Sequence, residues 1–123
     1  MIAIPLKTNK ENSAVAPLFG KAKWFAFVEN GNITIEKNEE QGGSGVVKWL
    51  LSKGVQTLIM QKMSQPPYEM IKEQGSITIL YVGSDRIELA EILKRYAANA
   101  LVILDDTNAP DIIKSHDRQH QQR

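Results

Sequence analysis

Cysteine is absent from the 123 residues, which excludes disulfides, thiolate nucleophiles and thiolate-held clusters. Histidine is nearly absent: His116 and His120, close to the C-terminal end, are the only two. No excess of one charge exists either. Fifteen basic residues against fourteen acidic leave a net charge of +1, so no whole-molecule field draws the chain to nucleic acid or to an anionic membrane, and neither partner is expected. No apolar run approaches the length that spans a bilayer, and Met1-Ile2-Ala3-Ile4-Pro5 leads straight into a strand pattern without a basic segment, so a cytoplasmic protein is expected. Trp24 and Trp49 lack the interleaved basic residues of a stacking platform and read as packing residues.

What is present suffices for one core, since 42% of the residues are hydrophobic and the length suits one domain rather than two. Ile2 to Leu6 has the composition of a central strand. Trp24 to Glu29 and Asn32 to Lys37 are rich in β-branched and aromatic residues, and Asn30-Gly31 between them is a two-residue hairpin signal. Val46, Val47, Leu50 and Leu51 follow a helical spacing that stops at Gly54, with Ser44 as the expected N-cap. Val55 to Met60 reads as a buried parallel strand, and Ser64 or Gln65 as the cap of a helix carrying Pro66 and Pro67 in its first turn and running to Gly75. A further strand, Ile77 to Val82, precedes a helix opening at Ser84-Asp85-Arg86 with an apolar stripe of Ile87, Leu89, Ile92, Leu93 and Tyr96. Ala100 to Leu104 is either a sixth short strand or an extended edge segment. This order predicts an α/β fold. It is a single three-layer domain with a mixed five-stranded sheet, in which an N-terminal antiparallel hairpin is followed by a parallel β-α-β-α-β-α part. The domain is expected over residues 1–104, with 105–123 a polar C-terminal extension, partly disordered.

Four segments together carry a family resemblance: Ile2 to Pro5, Phe19-Gly20-Lys21-Ala22, Gly42 to Gly45, and Leu50 to Ile59 with its Gly54-Val55 pair. In order and spacing they resemble the dinitrogenase iron-molybdenum cofactor biosynthesis family. The resemblance implies a ribonuclease-H-like motif, a non-enzymatic accessory or carrier role, an iron-sulfur or iron-molybdenum cluster as the bound group, and nitrogenase-maturation proteins as partners. Two departures stand out. Leu18 occupies the place where the family usually has His before Phe-Gly, and Gln61 to Pro67 replaces a Gly-x-Ile-Gly loop.

The ligand-binding candidates are therefore Phe19, Gly20, Lys21 and Lys23 on the first turn, Gly42, Gly43, Ser44 and Gly45 at a helix start, and Lys62, Ser64 and Gln65 after the fourth strand. Open α/β sheets place ligands at the carboxyl ends of their strands, where these loops can converge. The lysines offer positive charge. The glycines suit an anion cradle at a helix N-terminus or, equally, a plain connector, and they lack the Lys-Ser/Thr ending of a nucleotide loop. His116 and His120, four apart, are a weak metal pair, and Met60, Met63 and Met70 read as core filling. Ile2 to Leu6 contains no carboxylate, which a two-metal nuclease on this fold would need, and no Ser-His-Asp set exists outside the tail, so no catalytic residue is assigned. The alternative reading is a divergent member without cluster binding that acts as a protein-interaction or regulatory module, monomeric or homodimeric through a sheet edge.

Overall fold

The computed structural model describes residues 1–113; the expected metal pair, His116 and His120, lies outside the described residues. One six-stranded sheet has the order β3-β2-β1-β4-β5-β6, built from β1 (Ile2–Leu6), β2 (Trp24–Glu29), β3 (Asn32–Lys37), β4 (Thr57–Met60), β5 (Thr78–Tyr81) and β6 (Val102–Ile103). The helices are α1 (Gly43–Ser52), α2 (Gln65–Gln74), α3 (Leu89–Ala97) and α4 (Ala109–Ile112). β1 pairs antiparallel with β2 and parallel with β4, and β4 pairs parallel with β5. The predicted hairpin forms in one-to-one register from Trp24↔Lys37 to Glu29↔Asn32. Its turn takes φ of 53° at Asn30 and 81° at Gly31, the two positive values that match the twist of the flanking strands.

Side chains alternate across the sheet and divide the interior in two. On one face Ala3, Phe25, Phe27, Leu58, Met60 and Ile79 pack under α1, α2 and α4; on the other, Ile4, Leu6, Ala26 and Ile59 pack under α3. The three layers are those expected. Trp49 of α1 meets Phe25 and Phe27 edge to face, at 5.7 and 5.3 Å between ring centroids. Such pairs add about 0.5–1.5 kcal/mol each beyond area burial, so Trp49 fastens α1 to the hairpin.

The structure differs from the sequence reading at four places. The sheet gains a sixth strand within the segment noted at 100–104, and β6 runs antiparallel to β5. The α1 N-cap is Gly42 rather than Ser44, which lies within the helix. The helix expected from Ser84 starts only at Leu89, because the preceding residues are drawn into pairing with the loop after β1. Val15 N–H donates to Ile87 O at 2.8 Å and Leu89 N–H to Ser13 O at 3.0 Å. The Asn12 Oδ1 then accepts the Ala90 N–H at 2.8 Å, so the cap of α3 comes from far away in sequence. For the same reason, residues 13–16 of the polar-looking loop are buried.

Residues 105–113 of the expected extension lie against the first core, with Ala109 and Ile113 buried in it. A small polar cluster ties them to α2. Tyr68 Oη donates to Asp106 Oδ1 at 3.0 Å, and Lys72 Nζ lies 3.1 Å from the same oxygen. Burial, and then the bond to Asp106, push the Tyr68 phenol up to about 12. The bond to Asp106 raises the Lys72 ammonium, and the bonds from Lys72 and Tyr68 hold the Asp106 carboxyl below its ordinary value.

The helix starts meet at a junction with no room for a Cβ on its glycines. A Cβ on Gly20 would come within 3.0 Å of Gly43 N, and one on Gly43 within 2.7 Å of Pro67 Cγ. A proline ring cannot swing aside. Gly43→Ala is therefore expected to lower stability by about 1–3 kcal/mol from overpacking, against about 1 kcal/mol regained from helix propensity. In urea unfolding, adding Pro67→Ala should recover part of the loss, and an additive pair would rule the contact out.

The C-terminal cluster makes a pH prediction. The folded Tyr68 value lies above the unfolded 10, so its contribution to stability is complete below pH 10 and is lost as pH rises toward 12. Asp106 contributes in the opposite direction, above its unfolded value, and that contribution is lost as pH falls through the folded one. A phenolate absorbance titration should show Tyr68 ionising near pH 12, and Asp106→Asn should bring it only part of the way back, because burial is the larger cause.

Candidate functional site

β1, β3, β4 and β5 share one direction, so their carboxyl ends lie at one end of the sheet, and the candidate loops follow from three of them. After β1 the chain turns at Leu18 into a short 3₁₀ segment, Phe19–Lys21. Leu18 bridges to Lys62, the second residue beyond β4, with Phe19 N–H donating to Lys62 O at 2.9 Å and Lys62 N–H to Pro17 O at 3.1 Å. Asn38, just after β3, donates its backbone N–H to Lys23 O at 2.9 Å and its Nδ2 to Ala22 O at 2.8 Å. With the Gly20–Gly43 approach, these bonds bring the first turn, the glycine loop and the post-β4 loop to one end of the sheet.

The candidates differ in what they present there. Phe19 is fully buried, its ring edge-on to Phe25 at 5.8 Å. Gly20 and Gly43 are occupied by the contact between their segments, and the Gly45 position is covered by Glu40, whose Oε1 lies 3.0 Å from where a Cβ would be. That carboxylate sits beside the first turn of α1, where the helix dipole favours negative charge. Gly42 is exposed and Ser44 half-buried, without a side-chain capping bond. Ser64 is the exposed N-cap of α2, again without a capping bond, and Gln65 Nε2 donates to Glu69.

Lys21 and Lys23 do share a cavity. A depression of about 340 Å³ is lined by Leu6, Lys7, Ala16, Pro17, Leu18, Lys21, Ala22 and Lys23. Its floor is apolar, from buried Leu6, Ala16 and Ala22, while Lys7, Lys21 and Lys23 are exposed around it and Leu18 is half-buried. The ion pairs among the described residues involve Lys53, Lys72, Arg86 and Arg95, not these three. Lys62 adjoins the cavity through its backbone bonds to 17–19 but does not line it. Sequence reasoning missed Lys7, although its place directly after β1 was the available signal, since ligands gather beyond strand ends.

The chemistry on offer is electrostatic. Three ammonium groups over an apolar floor can hold a compact anion with a hydrophobic or polarisable face. Among the described residues no three His, Asp or Glu side chains converge to bind a metal ion directly. The groups with displaced protonation, Tyr68, Lys72 and Asp106, form the C-terminal cluster instead and line a different cavity, of about 300 Å³.

Three solved structures share the fold. A NifB-like protein of the DUF35 family from Thermotoga is 26% identical, with a TM-score of 0.70 over 84% of this chain and 91% of its own. The apo form of the orange protein from Desulfovibrio gigas has a TM-score of 0.72 at 14% identity, covering 84% of this chain and 91% of its own. A dinitrogenase-like protein from Methanocaldococcus jannaschii has 0.63 at 16%, covering 85% and 93%. The latter two, at such identities, speak for the fold alone. No match was found among curated proteins. The family model described as dinitrogenase iron-molybdenum cofactor matches residues 1–99, which include the lysine-rimmed cavity and its neighbouring loops, and the chain belongs to that family.

Proposed function

We propose that this protein is a non-enzymatic accessory of nitrogenase cofactor assembly that carries an anionic metal cluster or cofactor precursor in the cavity between Lys7, Lys21 and Lys23. The observation that carries the reading is this cavity, with three lysines outside the ion pairs of the described residues over an apolar floor. The family membership supports a cargo related to the iron-molybdenum cofactor, an iron-sulfur cluster or an iron-molybdenum precursor in this reading, with nitrogenase-maturation proteins as the partners. With no Cys in the chain, Leu18 where the family usually has His, and no thiol, imidazole, thioether or carboxylate in the lining of this cavity, the cargo is held there by charge and apolar contact. Weak, reversible holding suits a carrier that must give up its load. A cytoplasmic location accords with this role, and no helix among the described residues is long and apolar enough to cross a membrane.

The half-buried Leu18 favours a second reading. An apolar side chain at the mouth of the cavity also suits contact with another protein, as in an interaction module that has given up cluster binding.

Metal retention separates the two. Purified protein is incubated anaerobically with an iron-sulfur cluster or an iron-molybdenum cofactor precursor, desalted, and assayed for iron and molybdenum alongside its visible spectrum. A carrier retains stoichiometric metal, and a colourless protein points to the interaction module.

Each surface lysine contributes about 1 kcal/mol to a unit charge at contact distance in water, and more to a multiply charged cluster. Replacing Lys7, Lys21 and Lys23 together by Gln should therefore weaken retention about a hundredfold, with unfolding in urea unchanged within about 0.5 kcal/mol. Because exposed charges are screened within about 8 Å at physiological ionic strength, retention should fall steeply with salt. Leu18→His should have the opposite effect, binding the cluster more tightly and reducing the salt dependence by adding an imidazole ligand.

A further inference from the structure

The two edges of the sheet are not alike. β6 is only two residues long, while β3 runs for six residues, without proline and without a bulge in its register. Native sheets ordinarily blunt long edges with prolines, bulges or central charges. In a two-residue hairpin the pair flanking the turn is hydrogen-bonded, and bonded and unbonded pairs then alternate. Asn32, Thr34 and Glu36 thus bond to β2, and the Asn38 N–H to Lys23 O bond at 2.9 Å continues the same parity. Ile33 and Ile35 therefore turn their backbone N–H and C=O groups outward.

We propose that β3 is the docking edge for a second copy of this chain, paired antiparallel about Thr34. The strand is self-complementary in that register. Ile33 of one copy lies opposite Ile35 of the other, twice over, on the α3 side of the sheet. On the opposite side Thr34 meets Thr34, and each Asn32 faces a Glu36 carboxylate that its amide can donate to. No like charges are opposed, which is the condition for favourable cross-strand pairs. Four outward backbone groups on each copy find partners. The pairing also sets Ile33, which is 46% exposed, and the half-buried Ile35 beside their counterparts on the side of the sheet that α3 leaves open. The two-fold axis turns the carboxyl ends of the two β1 strands in opposite directions, so both lysine-rimmed cavities remain open. The inference is independent of what those cavities bind.

The interface is smaller than a standard one, so association is expected between about 10 μM and about 1 mM. Sedimentation equilibrium over that range should show a monomer–dimer equilibrium, and the amides of Ile33 and Ile35 should gain protection from hydrogen exchange as concentration rises. Ile35→Lys, which places an ammonium against the apolar pair, and Ile33→Pro, which deletes an outward donor without touching the β2 ladder, should each weaken dimerisation at least tenfold. A chain that stays monomeric to about 1 mM, a dimer indifferent to both variants, or wild-type Ile33 and Ile35 amides whose exchange ignores concentration would each overturn the proposal. The exchange measurement on the unaltered protein keeps the test decisive even if a variant unfolds.

Discussion

The architecture around the candidate site depends on a close approach of Gly20 to the Gly43 backbone and of Gly43 to the Pro67 ring. There the 3₁₀ segment, the start of α1 and the start of α2 meet with no room for a Cβ on either glycine. Interiors are packed to crystal-like density, so a missing Cβ is a filled space rather than a gap. The approach lets the Leu18–Lys62 bridge close beside it and holds the turn that carries Lys21 and Lys23 against the body of the domain. What composition suggests as an anion cradle is thus in large part a packing joint, with Glu40 supplying negative charge beside α1.

That joint separates rigid from solvated parts. Phe19 is anchored in the aromatic group of Phe25, Phe27 and Trp49, while the lysines two and four residues later stand in solvent around an apolar floor. The turn is thus fixed by packing, while its charges are set by solvent exposure rather than by hydrogen bonds within the fold. The field around the cavity is local: exposed charges beyond a Debye length contribute little, so a net charge of +1 does not prevent three lysines from giving one cavity a positive rim.

The other end of the chain is secured by polar rather than apolar means. Asp106 accepts from Tyr68 and pairs with Lys72, binding the segment around β6 and α4 to α2, where Ala109 and Ile113 complete the first core. Its displaced protonation follows from this structural task. Perturbed titration is a common mark of function, and here it marks a fastening that lines a cavity other than the lysine-rimmed one.

The sequence alone determined the elements whose signals are local. Period-two and helical patterning placed β1 to β5 and the first two helices, Asn30-Gly31 set the hairpin because both turn positions need positive φ, and the segment order identified the family. Lys21 and Lys23 were legible because they follow a recognisable turn. Only the tertiary structure decided the rest, and in each case the reason is a partner distant in sequence. The α3 start moved to Leu89 because Ser13 and Val15 claim the backbone of residues 87 and 89, and Asn12 caps the helix from 78 positions away in sequence. Phe19 went into the core and Lys7 joined the cavity because strand pairing, not local pattern, decides which side chains face one another. Local propensity is written residue by residue, whereas a site is a meeting of segments, and it exists only once packing has brought them together.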